Sequence, residues 1–480
     1  MRKTLVCLAL MVWSLFSVAY GSWTTPVNVS QSPGVNCTNP KVAFGPDGRL
    51  HMVWAAQWTT LTSDVIYVNY DGIAWSAPLK LTIASDGTCH FPDIASNARG
   101  SLAVIWEQNQ EHWVRFFNGT TQVWEDPFKV GESDTGNASQ PKIALDNEDN
   151  IHAYWFSLSG GWSFVRSRIN GVWESQFRLS QPFRRSKEGA IAAGADGRAW
   201  VVYVEKGVDG MYRIWWRVRT ATSFWSEPTR FPIPEQDIEL SQPHVDVDPS
   251  TNIPWTVYLR AGVPEGNNAV GLFKMDGSPF PYYPVIDFRA QHYPRIAIDG
   301  AGQKSVSVQT GQGDHGTGIS FTTQNGSGWT APFTFAYSNG WPKLPGMAAE
   351  LFGNVAVCWS SRTDNYYQAF VTTRDPVALK RFEPPVNRSL TINISTAWRN
   401  PQITFNFSWA ANPANNDAYV RGYRIYIKRG GGDFVPLVEV TKTTFSQSIS
   451  FTWTELGQKP QFAISTVSPS GLDGEKASFF

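Results

Sequence analysis

The 480-residue sequence lacks long hydrophobic runs, an excess of charge of either sign and the common metal-binding motifs, and each absence excludes a class of protein. Its 40 Lys and Arg residues are balanced by 40 Asp and Glu residues without any basic run, so nucleic acid is not an expected partner. After residue 22 no stretch approaches the roughly 20 apolar residues that cross a bilayer, so membrane insertion is not expected. No calcium, zinc or phosphate-loop motif appears, and we expect no metal and no cofactor.

The first residues have the pattern of an export signal. Arg2 and Lys3 precede an apolar run from Leu5 to Val18, and the small residues Ala19 and Gly21 follow it. This pattern predicts a signal peptide over residues 1–21. We therefore expect a secreted protein, extracellular or periplasmic, and we expect it to be monomeric.

The chain is rich in aromatic and turn-forming residues, with 22 Trp, 40 Gly and 31 Pro, and it repeats itself. The unit is clearest in "PKIALDNEDNIHAYWF…FVRSRINGVWESQFRLS", residues 141–180. Copies of this unit begin at Pro40, Pro92, Pro141, Gly189, Pro243, Pro294 and Pro345. A period of about fifty residues is typical of propellers and arrays.

Each copy is predicted to form four short antiparallel strands. The second strand alternates and ends at an aromatic residue such as Trp54 or Trp106, and a "DG" or "NG" hairpin signal separates the third strand from the fourth. The fourth strand opens with a tryptophan in most copies, and its regular recurrence indicates packing between repeats. Four strands per unit without helical periodicity favour an all-β propeller.

The seventh copy lacks its fourth strand, and the stretch "SWTTPVNVS" at residues 22–30 supplies it. Trp23 and Pro26 match Trp75 and Pro78 of the first copy. The sequence therefore predicts a seven-bladed β-propeller over residues 22–378, closed by pairing of residues 23–29 with the strand around residues 369–372. Closure removes the exposed sheet edges.

The repeat resembles the bacterial neuraminidase repeat of sialidase-like propellers, which are often exported and often carry accessory β-sandwiches. The resemblance implies fold more than activity. A sialidase is not expected, because the turns "NYDGIAW" and "RINGVW" lack the serine of that family's aspartate boxes. The "FRIP" arginine motif is also absent, and sialidases have six blades.

Residues 382–480 lose the repeat and show short alternating strands about ten residues apart, which is a β-sandwich pattern. Trp409, Tyr423 and the closing "FAISTVSPSGLDGEKA" resemble a fibronectin type III domain. No catalytic residue is assigned in this segment.

Two of the cysteines occupy equivalent places. Cys37 and Cys89 each lie three residues before the proline that begins a repeat, while Cys358 is expected to be a buried small hydrophobic residue. A disulfide between Cys37 and Cys89 requires Cα atoms about 4.4–6.8 Å apart, and otherwise both thiols are free.

The candidate ligand-binding residues lie in loops that differ between copies, because repeat packing does not dictate such positions. Trp58 and Trp341 have no counterpart tryptophan in other copies and suit either structural packing or stacking on a sugar ring, whereas Trp162 is predicted to be structural. The candidate residues are Trp58, His90, Glu107, Glu188, Glu205, Arg260, His292, Trp341 and Arg362.

These loops predict a non-catalytic binding protein that recognises a glycan or an extracellular protein, and no catalytic residue is assigned. The alternative is a glycoside hydrolase or polysaccharide lyase using Glu107, Glu188 or Glu205, because the separation of two carboxylates cannot be read from a sequence.

Overall fold

The computed structural model describes residues 23–479 apart from short internal segments, and the predicted signal peptide lies outside the described residues. The segments left out are 83–86, 132–137, 158, 183, 221–223, 233–238, 264–266, 277–282, 287–290, 313–314, 327, 337–340, 352, 376, 378–382, 396–401, 414, 416–419, 421, 431, 453–459, 468–473 and 475. The described residues form an all-β protein, as expected. Within them, no helix has the length and hydropathy to cross a membrane.

Residues up to Thr373 form seven sheets in the described part of the chain. Six of these sheets run in sequence order from a first to an outer strand, and in the seventh the outer strand is the first strand of the chain. The first strands are Asn36–Phe44 (β2), Cys89–Ser96 (β6), Ala138–Leu145 (β11), Ser186–Ala193 (β16), Leu240–Asp248 (β20), Gln291–Ile298 (β24) and Lys343–Ala349 (β29). The second strands are Leu50–Gln57 (β3), Leu102–Gln108 (β7), Ile151–Ser157 (β12), Ala199–Lys206 (β17), Ile253–Val263 (β21), Lys304–Gln312 (β25) and Val355–Thr363 (β30).

The third and outer strands complete these sheets, which we number 1 to 7 in the order of their first strands. The third strands are Ser63–Tyr70 (β4), Glu111–Asn118 (β8), Trp162–Ile169 (β13), Tyr212–Arg219 (β18), Asn267–Lys274 (β22), His315–Asn325 (β26) and Tyr366–Thr373 (β31). The outer strands are Val27–Asn28 (β1), Leu79–Lys80 (β5), Val123–Trp124 (β9), Phe128–Lys129 (β10), Val172–Trp173 (β14), Phe177–Arg178 (β15), Thr229–Arg230 (β19), Tyr283–Ile286 (β23), Gly328–Trp329 (β27) and Phe333–Ala336 (β28).

The first strands contact one another in cyclic order, from β2 through β6, β11, β16, β20 and β24 to β29, and β29 contacts β2 again. The seven sheets therefore stand in a closed ring, with their first strands around a central cavity.

The predicted closing strand is confirmed. Strand β1 pairs with β31, with Val27 opposite Val371, and the backbone N–H of Val29 donates to the carbonyl of Ala369 at 2.9 Å. The indole of Trp23 meets Phe321 and Phe335 of sheet 6 edge-on, with ring centroids 4.7 and 4.8 Å away. The first residues described thus complete sheet 7 and also attach it to sheet 6.

Tryptophans of the outer strands pack against the preceding sheet, as the repeat predicts. The ring of Trp124 lies 5.2 Å from that of Tyr67 in sheet 1, and Trp173 stacks on Phe128 of sheet 2 at 5.0 Å. Aromatic pairs at these separations add stabilisation beyond the burial of their area.

The fourth repeat has Gly189 where the other six repeats have proline, because the neighbouring sheet occupies the space that a side chain would need there. A Cβ atom at Gly189 would overlap the phenol ring of Tyr154 in sheet 3. The buried Tyr154 hydroxyl in turn bonds Ser163 at 3.0 Å.

Of the two alternatives for Cys37 and Cys89, a disulfide or two free thiols, the structure has the second, because both are free, buried thiols. Cys37 packs in the cluster between sheets 1 and 7, together with Cys358, whereas Cys89 packs in the cluster between sheets 1 and 2. Equivalent positions point in the same direction around the ring, so sheet 1 separates the two sulfur atoms.

The C-terminal residues form two further sheets around one apolar core. Their strands are Val386–Ile394 (β32), Gln402–Ala410 (β33), Gly422–Lys428 (β34), Val435–Thr441 (β35), Ser446–Thr452 (β36), Gln461–Val467 (β37) and Ala477–Ser478 (β38). The sheet orders are β32-β33-β36 and β35-β34-β37-β38, and buried Phe407, Trp409 and Tyr423 belong to the core between them. Ala98 and Leu351, in turns of sheets 2 and 7, pack against this core.

Candidate binding site at the loop face

One end of the ring, which we call the loop face, carries the beginnings of the first strands and the hairpins between second and third strands. In sheet 1, Asn36 at the start of β2 lies opposite Gln57 at the end of β3. All nine candidate residues belong to this end of their sheets, or to the connections next to it. The opposite end, the turn face, carries the turns between first and second strands, including Ala98 and Leu351.

Every first strand has a bulge near its beginning, where its pairing with the second strand shifts register just before the main run of paired residues. A non-glycine residue there adopts the left-handed conformation in each sheet: Asn39, Phe91, Gln140, Glu188, Gln242, Tyr293 and Leu344, with φ between 41° and 56°. In six of the seven sheets the next residue is proline, which has no N–H to lose from the ladder. Because such strained residues cluster at functional sites, this bulge ring marks the loop face as the candidate site.

Side chains of the bulge ring connect neighbouring sheets. The Glu188 carboxylate accepts from the backbone N–H of Gln242 at 2.8 Å, and the Gln242 side-chain carbonyl accepts from the backbone N–H of Tyr293 at 2.5 Å. Glu188 therefore links sheet 4 to sheet 5.

Two exposed tryptophans on neighbouring sheets 1 and 7 are fixed by polar partners. The Trp58 indole N–H donates to Asp64 at 2.9 Å, and Asp64 also binds Lys80 at 2.8 Å. The Arg362 guanidinium lies 5.2 Å from the ring centroid of Trp341, at a cation–π distance. Trp58 is 49% exposed and Trp341 is 41% exposed, so both present apolar ring surface to solvent.

Trp162 is a third exposed aromatic residue at this face, and the sequence reasoning assigned it a structural role. It begins β13, is 37% exposed and lies under the Arg178 guanidinium at 4.4 Å. The signal that would have separated it from half-buried Trp113 is the "SGGW" sequence, whose glycines form the hairpin that places Trp162 at the end of the ladder, opposite Ser157.

His90, Glu107 and His112 lie in register across β6, β7 and β8. Directly opposite residues project on the same side of a sheet. Burial raises the pKa of Glu107 to about 7 and lowers the pKa of half-buried His90. Burial also lowers the pKa of His112 to about 3, and its ring lies 5.3 Å from that of Trp155. At neutral pH Glu107 is therefore close to half-protonated, which suits general acid–base chemistry.

The remaining candidates occupy different surroundings. The Glu205 side chain is 0% exposed, accepts from the backbone N–H of Gln181 at 2.9 Å and pairs with Arg184 at 3.4 Å. Burial raises the pKa of Glu205. These contacts tie the connection before β16 to sheet 4. Arg260, opposite Leu240, and His292, whose ring lies 6.1 Å from that of Tyr293, are half-buried at the beginnings of sheets 5 and 6.

The structure also places a group of charged residues in the central cavity that the sequence reasoning did not single out. They follow the left-handed bulge residue by two positions, on the strand that lines the cavity. Their members are Lys41, Asp93, Lys142, His244 and Arg295. Among the described residues, no group of three or more His, Cys, Asp or Glu side chains is arranged to hold a metal ion.

Comparisons with known proteins give only distant structural resemblance. No protein-family model and no curated protein matches this sequence. A protein of unknown function from Dyadobacter fermentans is 11% identical with a TM-score of 0.48, over 73% of this chain and 98% of that one. An ulvan lyase, a polysaccharide lyase, is 11% identical with a TM-score of 0.46, over 72% and 95%. The sialidase of Trypanosoma rangeli is 10% identical with a TM-score of 0.40, over 94% and 86%.

Proposed function

We propose that this chain is an exported, non-catalytic glycan-binding protein that recognises its ligand at the loop face. In this proposal the seven sheets are the blades of a β-propeller closed by β1, and residues 382–480 are a fibronectin type III-like module. The cyclic contacts of the first strands support the propeller, and the three- and four-stranded sheets around one core support the module.

The exposed and immobilised tryptophans Trp58 and Trp341 carry this proposal. The apolar face of a sugar ring stacks on a flat aromatic surface, and a side chain held in place beforehand loses little conformational entropy on binding. Asp64 fixes Trp58 through its indole N–H, and Arg362 covers one ring face of Trp341. Trp162 extends the same aromatic set to sheet 3.

A glycan ligand accounts for the loop face better than a protein ligand does. The exposed tryptophans stand on different sheets, and the polar bulge residues at the same face suit the hydroxyl groups between stacked sugar rings; these residues are Asn39, Gln140, Glu188 and Gln242. A protein interface of standard size would bury roughly 800 Å² of surface on each partner. We propose a monomer located outside the cell or in the periplasm.

A glycan array with the chain from residue 22 tests the proposal. The Trp58→Ala and Trp341→Ala variants should bind about three- to tenfold more weakly, the scale of one aromatic contact. Phe224→Ala is the matched control, because Phe224 is 78% exposed and lies away from the loop face, after the third strand of sheet 4. Unchanged binding in both tryptophan variants, or no glycan bound by the wild type, would contradict the proposal.

A glycoside hydrolase or polysaccharide lyase is the second candidate, and Glu107 is the observation that favours it. Its pKa of about 7 suits an acid or base at neutral pH. The neighbouring carboxylates are engaged elsewhere: Glu111 pairs with Lys129 at 2.5 Å, and Asp64 binds Trp58 and Lys80. Turnover of a polysaccharide by the wild type, lost in Glu107→Gln, would establish this candidate in place of the first.

A further inference from the structure

The central cavity, of about 300 Å³, is lined by the first strands of all seven sheets. Lys41 of sheet 1, Lys142 of sheet 3 and Arg295 of sheet 6 occupy equivalent positions around it, immediately after the proline of each repeat. Three cations thus face one shared space from different sides. The stem of Lys41 passes over Gly346 of sheet 7, where a Cβ atom would lie 3.2 Å from the lysine Cδ.

Backbone carbonyls, rather than carboxylates, hold these three cations. The Nζ atoms of Lys41 and Lys142 donate to the carbonyls of Pro40 and Pro141, at 3.0 and 3.2 Å. Arg295 donates from Nε to Pro345 and from Nη1 to Pro294, at 3.2 and 3.0 Å. An ammonium group has three donors and a guanidinium five, so each cation keeps N–H groups for another acceptor.

The acidic groups nearby offset this charge only in part: the Asp93 carboxylate favours the charged forms of Lys142 and Arg295, but burial still lowers the pKa values of both. Asp93 accepts from the backbone N–H of Ile143 at 3.3 Å, and Asp246, one layer deeper, accepts from that of Ile298 at 2.8 Å. Within the described residues neither carboxylate forms an ion pair with a cavity cation. Both carboxylates instead satisfy the N–H groups of the adjacent first strand.

The pKa values of the cavity residues are shifted toward the neutral forms, as expected where no bound anion stabilises the cations. Burial and the nearby Arg295 lower the pKa of Lys41 to about 7, and burial lowers the pKa of Lys142. Burial raises the pKa of Asp246 to about 7. His244 stays neutral because burial lowers its pKa. Its Nδ1 accepts from Ile296 at 3.3 Å, which leaves the proton on Nε2.

We propose that the central cavity binds an oxyanion, a sulfate, phosphate or carboxylate group, between Lys41, Lys142 and Arg295. The anion is either free or a substituent of a glycan bound at the loop face, whose bulge residues precede the three cations by two positions in the chain. The sandwich packs on Ala98 and Leu351, which also line the cavity, so it lies at the turn-face end. The loop face is therefore the side from which the anion enters.

Titration calorimetry of the full chain with sodium sulfate and, separately, with a sulfated disaccharide tests this site and distinguishes the two sources. Lys142→Met and Arg295→Met should each weaken sulfate binding at least tenfold, and Arg295→Lys should restore most of it. Lys442→Met, in the sandwich, is the control and should leave the affinity unchanged. Trp58→Ala should also leave it unchanged, which separates failure of this site from failure of glycan stacking.

Wild-type protein alone provides a second measurement that does not depend on the folding of variants. An anion favours the charged form of Lys41, so sulfate affinity should fall about tenfold from pH 6 to pH 8 as Lys41 loses its proton. Asp246 gains charge over the same interval and changes affinity in the same direction. Arg295 keeps its charge, and burial raises the pKa of the nearby Cys358 thiol to about 12, so the thiol stays protonated. Asp93 faces the same cavity. Sulfate itself keeps its charge.

Three results would overturn the site. They are no binding of either sulfate or the sulfated disaccharide by the wild type, wild-type affinity for sulfate in both methionine variants, and a sulfate affinity that does not change with pH. Binding of the disaccharide without free sulfate would assign the anion to a glycan substituent, and binding of both would establish a free-anion site.

Discussion

At the residue scale, Glu107 shows how the fold sets the charge of a group at the loop face. Its carboxyl group has an ordinary pKa of 4.5, and burial raises it to about 7. A raised pKa means that the folded protein binds this proton more tightly than the unfolded chain does. The group therefore destabilises the fold as pH rises from about 4.5 to about 7, and the full destabilisation is present above that interval.

The Glu107→Gln variant should be more stable than the wild type at pH 8 by about 1–3 kcal/mol, and equally stable at pH 4. The amide cannot ionise, so the penalty for a buried negative charge disappears. Urea unfolding at a series of pH values measures the difference.

Glu111→Gln is the matched control on the same hairpin. Its carboxylate is 30% exposed and already has Lys129 as a partner at 2.5 Å, so its removal should give no gain in stability at pH 8. A Glu107→Gln variant that is destabilised equally at every pH would show that the carboxylate is needed for packing or hydrogen bonding instead.

The nine candidate residues show what a sequence can identify at this scale. Non-repeating loop positions led to Trp341 and Arg362, which the structure places together at the loop face, because repeat packing cannot explain them. The cavity cations were missed because they lie inside a repeated strand, where equivalent residues are expected to pack. The informative feature was variation within that repeat, since Lys41, Lys142 and Arg295 align with Ala190 and Gly346.

At the scale of elements, the closing strand β1 joins two neighbouring sheets at once. Its backbone completes sheet 7, and Trp23 covers Phe321 and Phe335 of sheet 6. Trp23→Ala should lower the free energy of unfolding by about 2–3 kcal/mol, because it removes a half-buried ring from this contact. Chemical denaturation followed by tryptophan fluorescence measures the change.

The same substitution at Trp58 provides the comparison for Trp23. Trp58 is 49% exposed and contacts Asp64 in its own hairpin, so Trp58→Ala should cost no more than about 0.5 kcal/mol. Equal losses at the two positions would mean that the closing strand does not stabilise the ring.

Strand order was predictable from the sequence, whereas the bulge ring was not. Alternating residues and the "DG" and "NG" turns predicted the strands of each repeat. The missing fourth strand of the last repeat then predicted the pairing of β1 with β31. The left-handed residues share no type, since Asn39, Phe91, Glu188 and Leu344 all occur there. The bulge depends on how each first strand pairs with its second strand, so the type of the left-handed residue does not predict it.

At the scale of the whole molecule, the ring and the sandwich have separate apolar cores that meet at Ala98 and Leu351 among the described residues. So small a contact should leave the two parts thermodynamically independent. Calorimetry of the full chain should therefore show two transitions. In a chain ending at residue 378 the ring transition should stay within about 2 °C of its temperature in the full chain, because the lost contact stabilises the ring by less than about 1 kcal/mol.

A second terminal deletion tests whether this independence is specific to the sandwich. A chain that begins at residue 30 keeps the sandwich but loses β1 and Trp23. Sheet 7 then has an unpaired edge at β31, so the midpoint temperature of the ring transition should fall by more than 5 °C. A similar fall on removing the sandwich would show that it supports the ring, and the cavity would then depend on the sandwich for its shape as well as for its closed end.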